Sequence, residues 1–576
     1  MRNQATYNVR TVKNLKDMIE QSTQLFGDKD AFLVKNSDTS YRSIKYSHFK
    51  QDIDALGTSL LSLGLKDKYI AVIGENRYEW CVSYLSIVNG TGVVVPLDKE
   101  LQITEIENLL NRSNAIAIFF SGKFSNDMLA LKDKLKQVKY FINMDGKAAQ
   151  DGNDPFLSFY SLIEQGKKLI AEGDNSYINA DVDAEVMNML LFTSGTTDLA
   201  KGVMLSHKNI CFDIMSVMST VHVDSSDSAL SILPLHHTYE CSLGFLAMMY
   251  SGATISFNEG LKHISKNLKE TKPTLLLTVP LLLENVYRKI WDQASKKRST
   301  LIKLKVALLI SNLLNNIFKI DIRKKLFKQI HESLGGRLRL ILTGAAAINP
   351  LVSRGFRNFG FSVLQGYGLT ECSPLAIGNR DKAFNDSSIG LPLPGVKAKI
   401  DNPDENGIGE ILIQGDNVML GYYQNDAATR TCLRDGWLYT GDLGYVDKKG
   451  FYYITGRKKN VIVTKNGKNI FPEEVESYIN MSPFVQESLV WGKYDEITGE
   501  TSVNAQIVPN FDAIREKLKV PSISKDEVFK LLSDVVKTTN RNMPLYKHIK
   551  QFTIRDNEFI KTTTKKIKRY IENKKI

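Results

Sequence analysis

Hydroxyl groups, glycines and a lysine cluster between residues 193 and 202, directly after an apolar run at 187–192 that is typical of a buried strand. The cluster reads TSGTTDLAKG. Glycine lets the backbone approach an anion closely, hydroxyls donate hydrogen bonds to its oxygens, and a lysine adds positive charge. The spacing is not that of a Walker loop, because Ala200 precedes Lys201 and Gly202 follows it. The cluster therefore predicts a nucleotide phosphate loop; the alternative is a polar loop between this strand and a helix near His207.

Three further stretches carry groups that suit a nucleotide. In 365–372 (QGYGLTEC) two glycines flank a tyrosine whose ring could stack on a base, and Thr370 and Glu371 offer the oxygen atoms that Mg²⁺ prefers. The small residues of 344–347 would let a flat ring lie against the backbone. The carboxylate of Asp442, in the sequence YTGD, suits hydrogen bonds to ribose hydroxyls. Each stretch alone fits an ordinary turn, but their occurrence in one chain favours a nucleotide site.

A histidine pair lies in 231–240 (SILPLHHTYE), where a predicted strand ends and a predicted helix begins. His236, His237 and Glu240 thus follow the carboxyl end of a strand, which is where α/β sheets bind ligands. Histidine pairs serve as often in capping or packing, so both interpretations stay open. The eight histidines show no clear metal-binding spacing.

Length and composition restrict the class of protein. A chain of 576 residues is too long for one core, so two or more domains are predicted. The net charge of +12 suits nucleotides, coenzyme phosphates or anionic membranes, and because no nucleic-acid motif is visible, no nucleic-acid partner is predicted. Five scattered cysteines without a C-x-x-C pair support neither a disulfide framework nor a zinc site. A cytoplasmic protein without a membrane span is predicted.

Strands that alternate with helices indicate βαβ units and a parallel sheet. Residues 1–60 are predicted to be largely helical. The elements predicted beyond them are strand 69–73, helix 76–89, strand 92–96, helix 103–112, strands 115–120 and 138–143, strand 228–233, helix 239–250, strands 253–257 and 274–278, helix 281–292 and strand 338–342. Short strands punctuated by glycine and proline predict a small β subdomain at about 385–450. A basic turn at 457–460 is the predicted domain boundary.

Residues 293–335 interrupt this alternation. They hold a mostly apolar, helix-like run at 301–320 with lysines and arginines before and after it. Apolar residues beside lysines can form a helix in a membrane interface, so a peripheral contact with the inner face of the membrane is one interpretation. The other is a helical hairpin that packs on its own domain, which is the more common use of an amphipathic helix.

Taken together, the motifs resemble those of the adenylate-forming superfamily of acyl-CoA synthetases, luciferases and peptide-synthetase adenylation domains. The matching stretches, in family order, are 193–197 with 201–202 (phosphate loop), 366–371 (adenine and magnesium motif), 439–442 (ribose motif), 456–459 (hinge) and 561–569 (catalytic lysine). Within the family, 234–240 and the insertion before 335–339 are similar to those of long-chain fatty acid–CoA ligases. The run 275–283 would suit the wall of an acyl groove, although core packing explains it equally.

The resemblance implies an α/β fold in two domains. Residues 1–456 would form a large N-terminal adenylation domain of parallel and mixed sheets with helices, including the β subdomain. Residues 457–576 would form a smaller, mobile α+β domain hinged at Lys459. The implied reaction is ATP-dependent activation of a long-chain fatty acid to acyl-AMP, followed by transfer to coenzyme A, with release of AMP and pyrophosphate.

The resemblance also assigns roles to individual residues. Thr193 and Glu371 would bind Mg²⁺, and His237 would border the carboxylate. Lys566 would reach the carboxylate and the α-phosphate. The implied catalytic residues are Lys566, Thr193, Glu371 and His237, and the implied ATP- or AMP-binding residues are Thr193, Ser194, Gly195, Thr196, Thr197, Lys201, Gly344, Ala345, Gln365, Gly366, Tyr367, Gly368, Thr370, Asp442 and Arg457.

Some positions depart from the family pattern. Asp198 stands where glycine is usual and Ala200 where proline is usual, and Lys565 replaces a common glycine before the implied catalytic lysine. A carboxylate beside a triphosphate repels it unless it turns outward or is paired. Two other functions stay open. One is an adenylating ligase for an acyl carrier protein or an aromatic acid, and the other is a membrane-associated, acyl-nucleotide-binding protein with little turnover.

Overall fold

The computed structural model describes residues 4–38, 40–146, 156–193, 200–464, 468–495, 500–520, 523–561 and 567–573. The chain forms two compact units. The first comprises Met1–Lys397 and Ile413–Leu438, and the second comprises Ala398–Leu412 and Tyr439–Ile576. The domain boundary at Arg457 and the hinge at Lys459 stay predictions.

The strands of the described residues are numbered in chain order. They are β1 (Asp30–Lys35), β2 (Tyr41–Lys45), β3 (Lys68–Ile73), β4 (Gly92–Leu97), β5 (Ala117–Phe120), β6 (Tyr140–Asn143), β7 (Phe156–Ser158), β8 (Met187–Thr193), β9 (Lys201–Ser206), β10 (Ser228–Ser231), β11 (Thr254–Phe257), β12 (Leu275–Thr278), β13 (Leu340–Thr343), β14 (Ser362–Tyr367), β15 (Ile377–Gly378), β16 (Leu391–Pro392), β17 (Lys397–Asp401), β18 (Gly409–Gln414), β19 (Gly421–Tyr422), β20 (Leu433–Arg434), β21 (Trp437–Val446), β22 (Tyr452–Arg457), β23 (Ile462–Val463), β24 (Asn469–Ile470), β25 (Val485–Asp495), β26 (Glu500–Pro509) and β27 (Ile549–Ile554).

The α-helices are numbered in the same way. They are α1 (Leu15–Phe26), α2 (Tyr46–Ser62), α3 (Tyr78–Val88), α4 (Ile103–Arg112), α5 (Ser125–Leu131), α6 (Phe159–Ala171), α7 (His207–Met218), α8 (Ala247–Ser251), α9 (Ile264–Thr271), α10 (Pro280–Ser295), α11 (Arg298–Ile317), α12 (Arg323–Leu326), α13 (Lys328–Ser333), α14 (Pro350–Asn358), α15 (Asp426–Cys432), α16 (Pro472–Ile479), α17 (Phe511–Leu518), α18 (Lys525–Arg541) and α19 (Arg569–Glu572). A π-helical segment, Tyr239–Leu246, precedes α8. None of these described helices is long and apolar enough to cross a membrane.

Two large sheets form the first unit. One has the strand order β19-β9-β8-β4-β3-β5-β6-β7, and the other has the order β16-β15-β14-β13-β12-β10-β11-β1-β2. Their central strands are parallel. Parallel strands covered on both faces need continuous apolar side chains, and Ile70–Ile73 and Ala117–Phe120 are accordingly buried throughout. The side chains of α4 and α5 pack into the core beneath the first sheet.

The second unit has its own core. Strands β25 and β26 pair antiparallel, and β27 joins β26 in parallel. Their buried side chains pack with α16, α17 and α18. Strands β17, β18, β21 and β22, whose residues belong mostly to this unit, pair in one sheet, which accounts for the short strands predicted at about 385–450. The α/β class with a smaller α+β part is thereby confirmed.

Two local predictions were wrong or incomplete. The first 60 residues are not largely helical, because the antiparallel pair β1 and β2 stands between α1 and α2. The phosphate loop was predicted to lead directly into a helix near His207. Instead, strand β9 follows the loop and pairs antiparallel with β8. Helix α7 then begins at His207, where the Ser206 hydroxyl accepts a hydrogen bond from Asn209 N (3.3 Å).

Candidate active site

Three of the predicted motifs lie at or just after the carboxyl ends of strands of the nine-stranded sheet. Strands β10, β12, β13 and β14 are parallel, so their carboxyl ends share one edge. Gly344 and Ala345 follow β13, Gln365–Tyr367 close β14, and His236 comes a few residues after β10. The fold thus brings together stretches that are more than a hundred residues apart in the chain.

The glycines of this edge have little space for a side chain. A Cβ on Gly368 would lie 1.8 Å from Pro374 O, and a Cβ on Gly366 would lie 2.5 Å from Leu375 Cδ1. A Cβ on Gly344 would lie 3.2 Å from Cζ of Tyr239. A ring therefore does lie against the small residues after β13, and it belongs to the protein. Ala345 has a φ of 67°, a left-handed conformation that non-glycine residues seldom adopt.

Tyr367 and Gln365 are largely buried at the end of β14. Tyr367 is 8% exposed and Gln365 is 7% exposed. Tyr367 pairs with Ile377 in the antiparallel strand β15. The predicted stacking of Tyr367 on adenine stays a prediction.

The two ends of the predicted phosphate loop face each other across a strand pair. Thr193, the last residue of β8, is the register partner of Lys201, the first residue of β9, and its hydroxyl donates to Lys201 O (3.4 Å). Arg112 Nη2 donates to Ala200 O (2.8 Å). The predicted loop residues Ser194, Gly195, Thr196 and Thr197, together with Asp198, lie outside the described residues.

Tyr422 connects the end of this loop to the predicted magnesium motif. Its hydroxyl donates to Glu371 Oε1 (2.8 Å), and the ammonium of Lys201 lies 4.8 Å from the centre of its ring. Strand β19, which holds Tyr422, pairs antiparallel with β9, and Met419 N donates to Glu371 O (2.9 Å). Burial and then the charge of Glu371 raise the pKa of Tyr422, so its hydroxyl stays protonated and donates.

The donor types around Glu371 fit a magnesium ion. Mg²⁺ binds hard oxygen ligands and usually keeps several waters, so it needs few protein ligands. Glu371 is partly exposed, and its Oε1 accepts the Tyr422 hydrogen bond. Its second carboxylate oxygen and the Thr193 hydroxyl are the donors that the predicted site assigns to the ion.

His236 and His237 lie beside a carboxylate that the sequence did not indicate. His236 Nε2 is 3.5 Å from Asp98 Oδ2, and the two imidazole rings are 4.2 Å apart between centroids. One donor atom from each of Asp98, His236 and His237 lies within 4.8 Å of the others. Asp98 follows β4 of the other sheet, so sequence separation hid this cluster. Its donor types would also suit a metal ion.

Glu240 has a structural environment. It is buried and accepts a hydrogen bond from the Ser231 hydroxyl (2.5 Å) at the end of β10. Its second oxygen, Oε2, is buried without a described hydrogen-bond partner. Burial raises the pKa of Glu240 to about 8, which makes the side chain a mostly neutral acid near pH 7.

A small apolar cavity lies at the same sheet edge. It has a volume of about 30 Å³ and is lined by Tyr239 and Leu243 from the π-helical segment and by Leu342, Leu364 and Gly366 from the strand ends. Ligand pockets commonly measure about 300–1,000 Å³, so this cavity holds only a small part of a ligand. The run 275–283, considered as a groove wall, supplies core residues instead: Leu276 and Leu283 pack in a buried cluster.

In the second unit, Asp442, which was predicted to bind ribose, forms an ion pair with Arg457, an implied ATP- or AMP-binding residue. Asp442 on β21 and Arg457 on β22 are register partners, and Arg457 Nε lies 2.6 Å from Asp442 Oδ1. Asp442 is buried, whereas Arg457 is partly exposed. Glu410 accepts from Gly441 N (2.9 Å) and from Lys458 Nζ (2.9 Å), which fixes the turn before Asp442.

Lys459, the predicted hinge, lies in a 3-10 turn, Lys458–Asn460. Asn460 Nδ2 donates to Glu473 Oε1 (2.6 Å) at the start of α16. Burial lowers the pKa of Lys459. The residue lines a cavity of about 410 Å³ within the second unit, together with Trp491 and Arg569.

The predicted catalytic Lys566 lies outside the described residues, but both sides of its segment are anchored. Lys561 and Ile567 form an antiparallel bridge, and Lys561 Nζ lies 2.7 Å from Glu487 Oε2. Arg569 forms an ion pair with the buried carboxylate of Glu476 and donates to Val490 O (3.1 Å). Burial raises the pKa of Glu476 to about 7, against the opposing charge of Arg569.

Sequence reasoning missed Asp98, Tyr422 and Arg569. Tyr422 stands in a Gly-Tyr-Tyr sequence, 421–423, which gives a weak signal for a ring near a glycine turn. Arg569 closes the motif at 561–569, but its buried partner is some ninety residues earlier. No signal in the sequence pairs either residue with its carboxylate.

The amino-acid sequence matches the profile of a known protein family. A family profile described as AMP-binding enzyme matches residues 19–423. The chain therefore belongs to the family of AMP-binding enzymes, which confirms the predicted adenylate-forming superfamily.

Individual proteins and a solved structure are also similar to this chain. Long-chain-fatty-acid–CoA ligase 1 of Cavia porcellus is 29% identical over 512 residues, which cover 82% of this chain and 71% of that protein. The chloroplastic long-chain-fatty-acid–[acyl-carrier-protein] ligase AEE15 of Arabidopsis thaliana is 26% identical over 565 residues, covering 86% and 76%. The anthranilate CoA ligase AuaEII in complex with anthranoyl-AMP has the same fold, with a TM-score of 0.76 and 21% identity over 98% of both chains.

Proposed function

We propose that this chain is a long-chain fatty acid–CoA ligase. It would join a fatty carboxylate to ATP, giving acyl-AMP and pyrophosphate, and then transfer the acyl group to coenzyme A with release of AMP. The observation that carries the proposal is the Lys201–Tyr422–Glu371 arrangement, which places a cation and a carboxylate on either side of one phenol (4.8 and 2.8 Å). Membership in the AMP-binding enzyme family supports adenylation, and the fatty-acid ligases among the relatives support the substrate class.

In the first half-reaction, a weakly nucleophilic carboxylate oxygen attacks the α-phosphorus, and pyrophosphate leaves with the electrons of the broken P–O bond. The carboxylate and the triphosphate repel each other, so positive charge must be present where they meet. Lys201 would contact the phosphates from the start of β9, and Lys566 would contact the carboxylate and the α-phosphate. His237 would border the carboxylate, with Asp98 and His236 beside it.

A bound Mg²⁺ would neutralise charge on the phosphate oxygens during this step. Glu371 and Thr193 would hold it. The Tyr422 hydrogen bond keeps one oxygen of Glu371 oriented, so the other can face the ion without a rearrangement of the side chain. Asp442 and Arg457 would hold the ribose hydroxyls.

In the second half-reaction, the thiolate of coenzyme A attacks the acyl carbon, and AMP leaves with its phosphate oxygen. The proposed movement of the C-terminal domain about Lys459 would replace the first catalytic surface with one for the thiol. Lysine-rich surfaces would meet the phosphates of coenzyme A. The proposed location of these reactions is the cytoplasm.

A carrier-protein acceptor is the second candidate function. The Arabidopsis thaliana relative is named as an acyl-carrier-protein ligase, and a basic chain suits an acidic carrier protein as well as coenzyme A. An aromatic acid is the third candidate, since the anthranilate ligase has the same fold. A protein of little turnover is the fourth candidate, because Asp198 departs from the family pattern.

The deciding experiment is a panel of carboxylates, from acetate to long-chain and aromatic acids, in an ATP–pyrophosphate exchange assay. Coenzyme A and a carrier protein would then be offered as acceptors for the acids that exchange. Exchange with palmitate and release of palmitoyl-CoA would support the proposal. Exchange restricted to aromatic acids, transfer only to the carrier protein, or no exchange with any acid would each overturn it in favour of one of the other candidates.

A further inference from the structure

Helix α11 is apolar on two opposite faces, and only one of them is covered by the protein. Leu304, Ala307 and Leu308 pack against the buried cluster beneath the nine-stranded sheet. The other face carries exposed aliphatic side chains, with Leu309 72% and Leu313 55% exposed. The members of this exposed stripe are Ile302, Val306, Leu309, Leu313 and Ile317.

The spacing of the stripe makes it continuous. Its members follow each other by three or four residues, and at 3.6 residues per turn such positions lie on one line along a helix. From Ile302 to Ile317 the stripe is about 22 Å long at 1.5 Å per residue. Beyond the helix, Phe318 and Ile320 are also exposed, at 60% and 52%.

Basic residues border the stripe along its sides and at both ends. Lys303 and Lys305 are exposed and lie on opposite sides of it, at about 100° per residue around the helix. The exposed basic residues at the ends are Lys296, Lys297 and Arg298 before Ile302, and Lys319, Lys324, Lys325 and Lys328 after Ile317, of which Lys328 is paired with Glu332 (3.6 Å). The acidic residue of 296–328, Asp321, is paired with Arg323 (2.6 Å).

We propose that the α11 surface, defined as the exposed stripe with these bordering basic residues, docks on an anionic lipid bilayer. The helix would lie in the plane of the interface, with the stripe at the acyl boundary and the lysines at the anionic headgroups. Interfacial helices have this combination of an aliphatic face and flanking cations. Each basic residue near an anionic surface contributes about 1 kcal/mol of attraction.

The charges distinguish this occupant from a second copy of the chain. Pairing of two copies through the same surface would place like charges around one apolar contact, which disfavours it. An anionic bilayer has the opposite sign to the surface over its whole length. The bilayer is also where long-chain fatty acids partition, although the docking itself does not depend on the proposed ligase function.

The test is co-sedimentation of the full chain with vesicles of phosphatidylcholine alone and of phosphatidylcholine with about one-third phosphatidylglycerol. We expect binding to the anionic vesicles and little binding to the neutral ones. The double variant Leu309→Glu/Leu313→Glu should lose binding at least about tenfold. The double variant Lys303→Gln/Lys305→Gln should weaken it about 25-fold, since about 1 kcal/mol per lysine corresponds to about fivefold each.

Matched variants elsewhere on the first unit control for general effects. Leu25→Glu/Leu129→Glu changes two other exposed leucines, and Lys66→Gln/Lys136→Gln removes two other exposed lysines. Both should bind vesicles like the unchanged chain. Circular dichroism and exchange with a water-soluble carboxylate, measured without vesicles, report folding and the proposed activity separately from docking.

Two outcomes would overturn the proposal. One is equal sedimentation with neutral and anionic vesicles, or no sedimentation with either. The other is a dimer, seen by sedimentation velocity, that Leu309→Glu/Leu313→Glu dissociates while vesicle binding stays absent. A chain that docks but shows no exchange would leave the docking proposal intact and count against the ligase proposal alone.

Discussion

In the first unit, Lys201 and Glu371 are separated by the phenol of Tyr422, whereas in the second unit Asp442 and Arg457 contact each other directly at 2.6 Å. The contrast extends further. Lys561 pairs with Glu487, and Arg569 pairs with Glu476, both within the second unit. Lys201 and Glu371 form no ion pair with another described residue.

The difference has a physical consequence. A charge that is oriented by a neutral hydroxyl or a ring keeps most of its field for a ligand, because no opposite charge cancels it. A buried ion pair cancels its own field and instead fixes two segments of backbone, at the expense of desolvation. Lys201 and Glu371 thus keep their fields for a ligand, whereas the named charges of the second unit are paired within the protein. Each prediction below changes one side of this contrast.

The largest effect is expected at Lys566, a cation of the second unit that is proposed to contact the substrates rather than a carboxylate of the protein. Lys566→Ala should slow acyl-AMP formation by on the order of 10³, because it removes a charge aimed at the transition state. Thioester formation from supplied acyl-AMP should stay nearly unchanged. The two half-reactions are measured by pyrophosphate exchange and by acyl-CoA release. An equal loss of both would show that the lysine supports structure, like its neighbours.

The next largest effect is on stability, at Arg569. Arg569→Met leaves the buried carboxylate of Glu476 without its cation, and breaking such a pair lowers the free energy of unfolding by about 3 kcal/mol or more. The measurement is denaturant unfolding of the full chain, followed in the transition of the second unit.

Two further variants sharpen that measurement. Arg569→Met/Glu476→Gln should recover much of the loss, because a neutral amide can still accept from Val490 N (2.6 Å). Arg515→Met removes the exposed pair with Asp512, so it should change stability by about 1 kcal/mol or less. If the double variant were no more stable than Arg569→Met, the ion pair would not be what anchors the segment.

A smaller effect is expected at Tyr422, the neutral residue between Lys201 and Glu371. Tyr422→Phe keeps the ring beside Lys201 but removes the hydroxyl that orients Glu371, so exchange should fall about five- to tenfold. Glu371→Gln removes the charge itself and should cost about a hundredfold. Both should leave the free energy of unfolding within about 1 kcal/mol. A Tyr422→Phe chain as slow as Glu371→Gln would mean that the phenol itself contacts a substrate.

The sequence predicts the backbone of this site better than its side-chain contacts. The small residues after the predicted strand 338–342 identified Gly344 as lying at a strand end, because turn geometry and burial are local properties. Strand β14, which contains 365–367, was not predicted. The Tyr422–Glu371 and Arg569–Glu476 contacts join residues far apart in the chain, and neither pairing has a local pattern. Strand β9 was missed because 201–206 alternates weakly and contains Gly202, so only its pairing with β8 defines it.

The last prediction concerns Glu240, a buried carboxyl of the first unit that accepts only neutral donors among the described contacts. Burial raises its pKa to about 8 in the folded chain, from 4.5 without burial. The folded state therefore binds the proton more tightly, and the stability that this contributes is fully present below about pH 4.5 and lost as the pH rises through about 8.

Glu240→Gln removes this proton while it keeps an acceptor for Ser231. Its unfolding free energy, relative to the unchanged chain, should therefore rise by about 4 kcal/mol between pH 5 and pH 9. Glu405→Gln, at an exposed position, should show no such change with pH. A parallel pH dependence of Glu240→Gln and the unchanged chain would mean that the Glu240 carboxyl is ionised in the folded state. A cation would then have to lie beside it, as Arg569 lies beside Glu476 in the second unit.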